Sequence, residues 1–383
     1  MKIIQGIYNI AKVMIDEIDE TTQEQIQTFL NHPAFSKKRI VIMPDCHAGN
    51  GSCIGFTMQL GDYIMPQVVG VDIGCGMLAV NFGVREVDPS ELDTFIKSSI
   101  PSGHEINDEP YKDMEDVKCI CKIIDTEYRK VLRAVGSLGG GNHFIEADKD
   151  EDNNLWIVIH SGSRNFGKRV ADYYQSQARK LLKQFFIEPQ LDMEFIPISC
   201  SLAQDYLVAM QVAQRYASVN RYEMMRRIAD FIGGCAQDVV QSVHNYIDFE
   251  DNIIRKGAIR AHDGERCIIP FNSAEGSVIC RGKGNKDWNY SAPHGAGRLM
   301  SRSKAFDTLD YKVYQAILAN NNVYSTTANS STIDEAPMAY KPADMILTAI
   351  EPTVEIIKRL KPFYNFKAAE GRHRRENKGE SNE

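Results

Sequence analysis

Short apolar runs, broken by polar and glycine-rich stretches, dominate the chain. Ile40–Met43, Gln67–Val71, Met77–Phe82, Leu155–Ile159 and Ser277–Cys280 have strand length and turn-forming neighbours, and predict strands. Between them the period lengthens. Asp88-Pro89-Ser90-Glu91 supplies a cap, a first-turn proline and an acid before Leu92–Ile96, which predicts a helix. From Ser201 onward, Leu202, Tyr206, Met210, Ala213, Ala217 and Asn220 recur at helical spacing, and the pattern runs on to Ile232. Strands and helices mix without the regular alternation of a doubly wound sheet, so the expected class is α+β. No repeat or linker interrupts residues 1–368, which read as a single large domain of mixed sheets and helices. Residues 369–383 read as a polar, disordered tail, because Arg372, Arg374, Arg375 and Lys378 stand there with nothing apolar to bury from Glu370 on.

Composition narrows the class. Of the 383 residues, 43% are hydrophobic and 25% charged, which supplies a core and excludes a disordered, collagen-like or coiled-coil chain. Lys plus Arg number 44 against 51 Asp plus Glu, a net charge of −7, so no global positive field draws the protein to nucleic acid. Any RNA or nucleotide must be met in a local basic cleft. The nine scattered cysteines do not form the even, dense set of a disulfide framework. With no signal-peptide pattern and no apolar run long enough to span a membrane, the expectation is a cytoplasmic protein with reduced thiols.

The chemistry concentrates in glycine-rich segments. Asp45-Cys46-His47-Ala48-Gly49-Asn50-Gly51 follows a strand. Asp72 and Cys75, three apart in Gly70–Met77, can point at one ion from a turn. Gly139-Gly140-Gly141 precedes Asn142 and His143 and offers backbone N–H groups to phosphate oxygens. His160 ends an apolar strand, and His244 stands before Asn245. Each feature alone has a plain structural reading: a hydrogen-bonded histidine, a buried thiol, a turn. Their co-occurrence carries the argument. A pocket of Asp72, Cys75, His143, His160 and His244 would suit Zn, Mn, Fe or Co better than Mg or Ca, which prefer oxygen alone. Five ligands exceed one tetrahedral zinc and favour two ions or a higher-coordinate ion such as Mn²⁺. His294 differs, because glycines and arginines flank it. An anion held by Arg298 and Arg302 would lie beside its ring, and an imidazole there can attack phosphorus to give a phosphoramidate.

In this order the segments resemble the RtcB family of RNA-splicing ligases. The matches are DCHAGNG at 45–51, GVDIGCGM at 70–77, LGGGNHFIE at 138–146, HSGSR at 160–164, HNY at 244–246, GKGN at 282–285, SAPHGAGRLMSRSKA at 291–305 and DEAPMAYK at 334–341. The resemblance spans residues 40–368 and implies a single α+β domain with a deep metal cleft. It also implies a GTP- and Mn²⁺-dependent ligase, with two ions, that joins RNA ending in a 2′,3′-cyclic phosphate or 3′-phosphate to RNA with a 5′-hydroxyl. His294 would carry GMP. Asp72, Cys75, His143, His160 and His244 would hold metal, with Cys75 bridging. Asn142, Glu146, Ser277, Gly295, Arg298, Tyr340 and Lys367 would bind the nucleotide, and Asp45, Arg164 and Arg302 the RNA. An archease-type activator is a further expected partner. The sequence departs from the family at Asn50, Asn272 and Ala368, as a shorter paralogue would. Two other readings stand beside this one: a metal-dependent phosphoesterase that only opens cyclic phosphates, and a non-catalytic RNA-binding protein. Arg215, Arg221, Arg226 and Arg227 on the long helix would form either a basic face for RNA or an ordinary solvated face, and Asn220-Arg221 resembles a family element.

Overall fold

The computed structural model describes residues 1–49, 51–188 and 193–369. Asn50 and, beyond Ala369, the expected polar tail lie outside the described residues. A seven-stranded antiparallel sheet runs in the order Asp238–Val243, Gly76–Val84, Asn154–Ser161, Phe144–Lys149, Val354–Lys367, Ser277–Gly282, Arg266–Pro270. Both of its faces are apolar. Leu78, Val80, Ile145 and Ile157 pack beneath Leu92 and Ile96 of the helix Pro89–Ser99 and beneath Met224, Met225 and Ile228 of the helix Ser201–Ile232. Met77, Trp156 and Val158 face the other way, onto Val240, Ile268 and Ile279. The sheet curls until its outer strands meet. There Arg266 grips Asp238 through two bonds of 2.6 Å, and the Ile268 N–H donates to Ser242 Oγ at 3.0 Å. Burial on both faces explains why these strands read as unbroken apolar runs rather than as alternations.

A second, six-stranded sheet runs in the order Lys2–Gln5, Ile10–Val13, Ile40–His47, Ile54–Gln59, Ile253–Lys256, Asn245–Asp248. Only the pair Ile10–Val13 and Ile40–His47 is parallel. The chain passes from the first sheet to the second at one residue, His244, which separates Asp238–Val243 from Asn245–Asp248. A two-stranded ribbon of Ala258–Arg260 and Ser291–Pro293 carries the chain to His294. The cleft between the sheets is where the functional side chains gather.

The architecture is the expected α+β. Asp88 accepts the N–H groups of Ser90 and Glu91 at 2.8 and 3.0 Å and starts its helix. The long helix spans Ser201–Ile232 and ends at Gly233, whose φ of 64° lies in the left-handed region. One expectation is corrected. Gln67–Val71 is not a strand: Pro66–Val69 forms one helical turn, opened by Pro66 and closed by Gly70 at φ 91°. Its apolar residues are buried, and so short a run has no periodicity to tell a turn of helix from a strand. All nine cysteines are free. Among the described residues no helix is long and apolar enough to cross a membrane.

Candidate metal centre and active site

The five expected ligands converge. In the turn before Gly76–Val84, the Cys75 N–H donates to the Asp72 carbonyl at 3.2 Å, and the Gly74 N–H to Asn245 O at 2.9 Å. Asp72 and Cys75 therefore face one point. A Cβ at Gly162 would collide with the Asp72 carboxylate, so only glycine allows the two loops to close. His160 stands opposite Met77 and Phe144 in the sheet, which sets it beside Cys75 and His143. Cys75 Sγ lies 3.4 Å from His143 Nε2 and 3.3 Å from His160 Nε2. His143 Nε2 lies 3.2 Å from Asp72 Oδ2, and His160 Nε2 lies 3.1 Å from His244 Nε2. Two triads result, Asp72–Cys75–His143 and Cys75–His160–His244, with the ligand atoms of each within 4.8 Å of one another and Cys75 common to both.

This donor set fits a transition dication. His160 Nδ1 sits 3.1 Å from the Asn142 carbonyl, so it carries the proton and Nε2 turns a lone pair to the cluster. His143 Nδ1 and His244 Nδ1 are buried without a hydrogen-bond partner among the described residues. Burial pushes both His160 and His244 well below the ordinary histidine range, so both are neutral and able to ligate. Burial, with the Asp72 charge beside it, holds the Cys75 thiol protonated. A metal bound here would displace that proton. Burial alone would raise the Asp72 carboxyl, but His143 overcomes it and keeps Asp72 ionised.

Arg221 supports the cluster from behind. It is fully buried in the long helix, and its Nη1 donates to Gly74 O at 2.9 Å and Ser161 O at 2.8 Å. Its charge faces Cys75 and Asp72. Asn220 accepts from the Gly136 and Ser137 N–H groups and donates to Gly162 O, tying two loops to the helix. Arg221→Met is expected to weaken metal retention about 10- to 100-fold and to cost about 2–4 kcal/mol of stability, because two buried carbonyls lose their donor. Metal titration and chemical unfolding of the variant measure the two effects separately. Unchanged metal affinity would show that Arg221 only supports the fold.

Across the cleft, the His294 ring centroid lies 4.7 Å from that of His244. The fully buried Asp45 takes both the His294 Nδ1–H, at 2.7 Å, and the His294 backbone N–H, at 3.2 Å, on Oδ2. Nδ1 is thereby committed, and Nε2 keeps a free lone pair. Lys341 fixes the strand holding Asp45 by donating to the carbonyls of Pro44 and Cys46, each at 3.0 Å. Gly297, at φ 75°, packs so close to Asp45 that a Cβ would strike its backbone.

The cleft itself has a volume of about 820 Å³, a size suited to a small-molecule ligand. Asp72, Cys75, Asn142, Glu146, His160, His244, His294, Gly295, Arg298, Arg302, Tyr340 and Lys367 line it. The basic groups at its far end meet on Glu335, which is 2% exposed. Arg298 reaches it at 3.2 Å, Arg302 at 2.8 Å and Lys367 at 3.0 Å, and the Tyr340 hydroxyl donates to it. Burial would raise Glu335, but Lys367, Arg302 and Arg298 together pull it to about 2. This is the local basic cleft that the charge balance requires.

Other assignments fall elsewhere. Ser277 is buried at the start of its strand and does not line the cleft. Arg164 donates to Gly103 O and Ser137 Oγ, holding loops beneath His143 instead of facing the cleft. Asp45 has no exposed surface and touches His294. Asn272 does line the cleft, and its side-chain oxygen caps its own turn by accepting from the Ala274 and Glu275 N–H groups. The four arginines of the long helix do not share one face: Arg221 is buried, Arg215 pairs with Asp116, and Arg226 and Arg227 share Glu223. Sequence reasoning passed over Glu335, Lys341 and Asn365. The first two stand inside the quoted 334–341 segment, and their weight there was the available signal.

The chain matches the family model described as "tRNA-splicing ligase RtcB" over residues 25–131 and 121–368. It is similar to the RNA-splicing ligase RtcB of Escherichia coli K12, with 33% identity over 367 residues covering 85% of this chain and 89% of that one. The tRNA-splicing ligase RtcB of Aeropyrum pernix is 29% identical, over 81% and 83% of the two chains. RNA-splicing ligase RtcB2 of Escherichia coli strain ATCC 25922 is 25% identical, over 93% and 94%.

Proposed function

The chain belongs to the RtcB family and is an RNA ligase, and on that premise we propose that it joins RNA ends in a GTP- and Mn²⁺-dependent reaction through a guanylylated His294. The observation that carries this reading is the pairing of His294 with buried Asp45 beside a cluster of five soft and hard metal ligands. Asp72, Cys75, His143, His160 and His244 would hold two Mn²⁺ ions, which supply charge neutralisation at phosphoryl oxygens when bound. His294 Nε2, freed by the Asp45 bond to Nδ1, attacks the α-phosphorus of GTP. An N–P bond forms, the bond to the β-phosphate oxygen breaks, and pyrophosphate leaves. Asp45 stabilises the positive charge that the imidazole acquires. Asn142 contacts the phosphates, Glu146 the guanine, and Arg298 and Arg302 grip phosphate.

A 2′,3′-cyclic phosphate is first hydrolysed to a 3′-phosphate. An oxygen of that phosphate attacks the phosphorus on His294 and takes the GMP, returning neutral imidazole. The 5′-hydroxyl of the second RNA then attacks the activated 3′-phosphate, and GMP leaves. We place this chemistry in the cytoplasm, on RNA broken in repair or tRNA splicing, with an archease-type protein as a candidate activator.

Purified protein incubated with Mn²⁺ and α-labelled GTP is expected to acquire acid-labile label on the polypeptide. The same protein given γ-labelled GTP should acquire none. Absence of α-label from protein with bound Mn²⁺ would reject the nucleotidyl transfer and favour a phosphoesterase that only opens cyclic ends.

A further inference from the structure

Two carboxyl groups share one face of the strand Phe144–Lys149. Glu146 and Asp148 are two residues apart, so their side chains leave the strand on the same side. Both are buried, Glu146 at 2% exposure and Asp148 at 0%. Glu146 reaches the cleft, accepts from Asn365 Nδ2 at 2.7 Å and faces the Lys367 ammonium. Asp148 has no such support. Neither of its oxygens meets a hydrogen-bond donor among the described residues, and its carboxyl lies within hydrogen-bonding reach of Glu146.

Two ionised carboxylates do not remain in contact in a dry interior, so the pair holds one proton. The partners decide where it resides. Negative charge on Glu146 is stabilised by the Asn365 amide and by Lys367, whereas nothing stabilises charge on Asp148. The proton therefore sits on Asp148, with its O–H directed at Glu146. The electrostatics point the same way: burial, with the Glu146 charge beside it, drives Asp148 well above the ordinary carboxyl range. Burial also raises Glu146, but Asn365, Asp148 and Lys367 restrain it to about 7. Among the described residues, Tyr314 of the helix Tyr311–Asn320 also faces Glu146. Asp150, at the strand end, is held by Trp156, Asn154 and Lys358.

We propose that Asp148 is a specificity-determining positioning residue: as a neutral carboxylic acid it donates to Glu146, keeps Glu146 ionised and aimed into the cleft, and thereby selects a base with two adjacent N–H donors over adenine. Guanine offers such a pair in its N1–H and 2-amino groups. The selectivity rests on the assignment of the nucleotide to Glu146 made above; the proton on Asp148 does not.

The test uses the full chain and two variants. Asp148→Asn keeps a donor toward Glu146, and Asp148→Leu removes it at similar size. Asp148→Asn is expected to bind GTP within about threefold of wild type, and Asp148→Leu about tenfold more weakly. Wild-type affinity should decline below about pH 7 as Glu146 takes up a proton, and in Asp148→Leu the decline should begin at higher pH. Infrared difference spectra of nucleotide-free protein at pH 8 should show a protonated carboxyl band that Asp148→Asn abolishes. An Asp148→Leu protein with wild-type GTP affinity and pH profile, or spectra without that band, would overturn the proposal. Wild-type protein that binds GTP no better than ATP would overturn the nucleotide assignment and the selectivity with it, while the infrared band still decides the protonation of Asp148.

Discussion

Replacing His294 with alanine should abolish the joining of RNA ends while leaving the opening of a 2′,3′-cyclic phosphate in place. Alanine offers no nitrogen to attack GTP, so neither labelled protein nor guanylylated RNA should form. The five candidate metal ligands are separate side chains, and His244, whose ring lies beside His294, keeps its place in the sheet-to-sheet crossing. RNA that already carries GMP on its 3′-phosphate bypasses the missing step, and the variant should join it to a 5′-hydroxyl end. Gel assays on the three RNA substrates separate these outcomes. Joining of ordinary ends by the variant would eliminate His294 as the nucleophile. Loss of cyclic-phosphate opening as well would mean that the ring also serves the metal site.

The second large effect belongs to Asp45. Asp45→Asn keeps the volume and an acceptor oxygen but removes the charge. In the wild type the carboxylate accepts from both Nδ1 and the backbone N–H of His294, which fixes the ring and its tautomer. As the N–P bond forms, the ring becomes cationic, and the buried carboxylate is 2.7 Å away from Nδ1. The protein–GMP adduct should therefore form on the order of 100- to 10,000-fold more slowly, by analogy with the loss of a carboxylate behind a catalytic imidazole. Metal content should not change, because Asp45 touches no member of the cluster. Rapid-quench measurement of adduct formation, with metal analysis of the same sample, checks both statements. Labelling at the wild-type rate would reduce Asp45 to a packing role.

The parts of this site that were legible in the sequence share one property: their residues are close in sequence to something that constrains them. Asp72 and Cys75 share a turn, His160 ends an apolar strand, and His294 follows a short ribbon and precedes glycines. The long helix declared itself through period alone. What was not legible depends on distant pairing. Asp148 reads as an ordinary charged residue at a strand end, and only the register that sets the strand against Trp156 and Pro362 shows it to be buried. Glu335 gathers three cations from two separate segments. Arg221 follows Asn220 on a helix with an apparently basic side, yet that turn is packed on the sheet and both residues point into the cluster's backbone. Charge counted along a helix does not distinguish a cation facing water from one that fastens loops.

His244 is the one-residue link by which the chain passes from the seven-stranded sheet to the six-stranded one, and of its cluster partners His160 lies in the seven-stranded sheet while Cys75 and His143 immediately precede two of its strands. His294 and Asp45 stand on the far wall of the cleft. The spacing between His294 and the cluster is thus a gauge of how the two sheets are seated on each other. A slip of one sheet by the width of a side chain would leave every residue folded and every strand paired, yet would put His294 out of register with the Asp72, Cys75, His143, His160 and His244 cluster. Tolerance to substitution should accordingly fall off with distance from the seam between the sheets as well as with distance from His294.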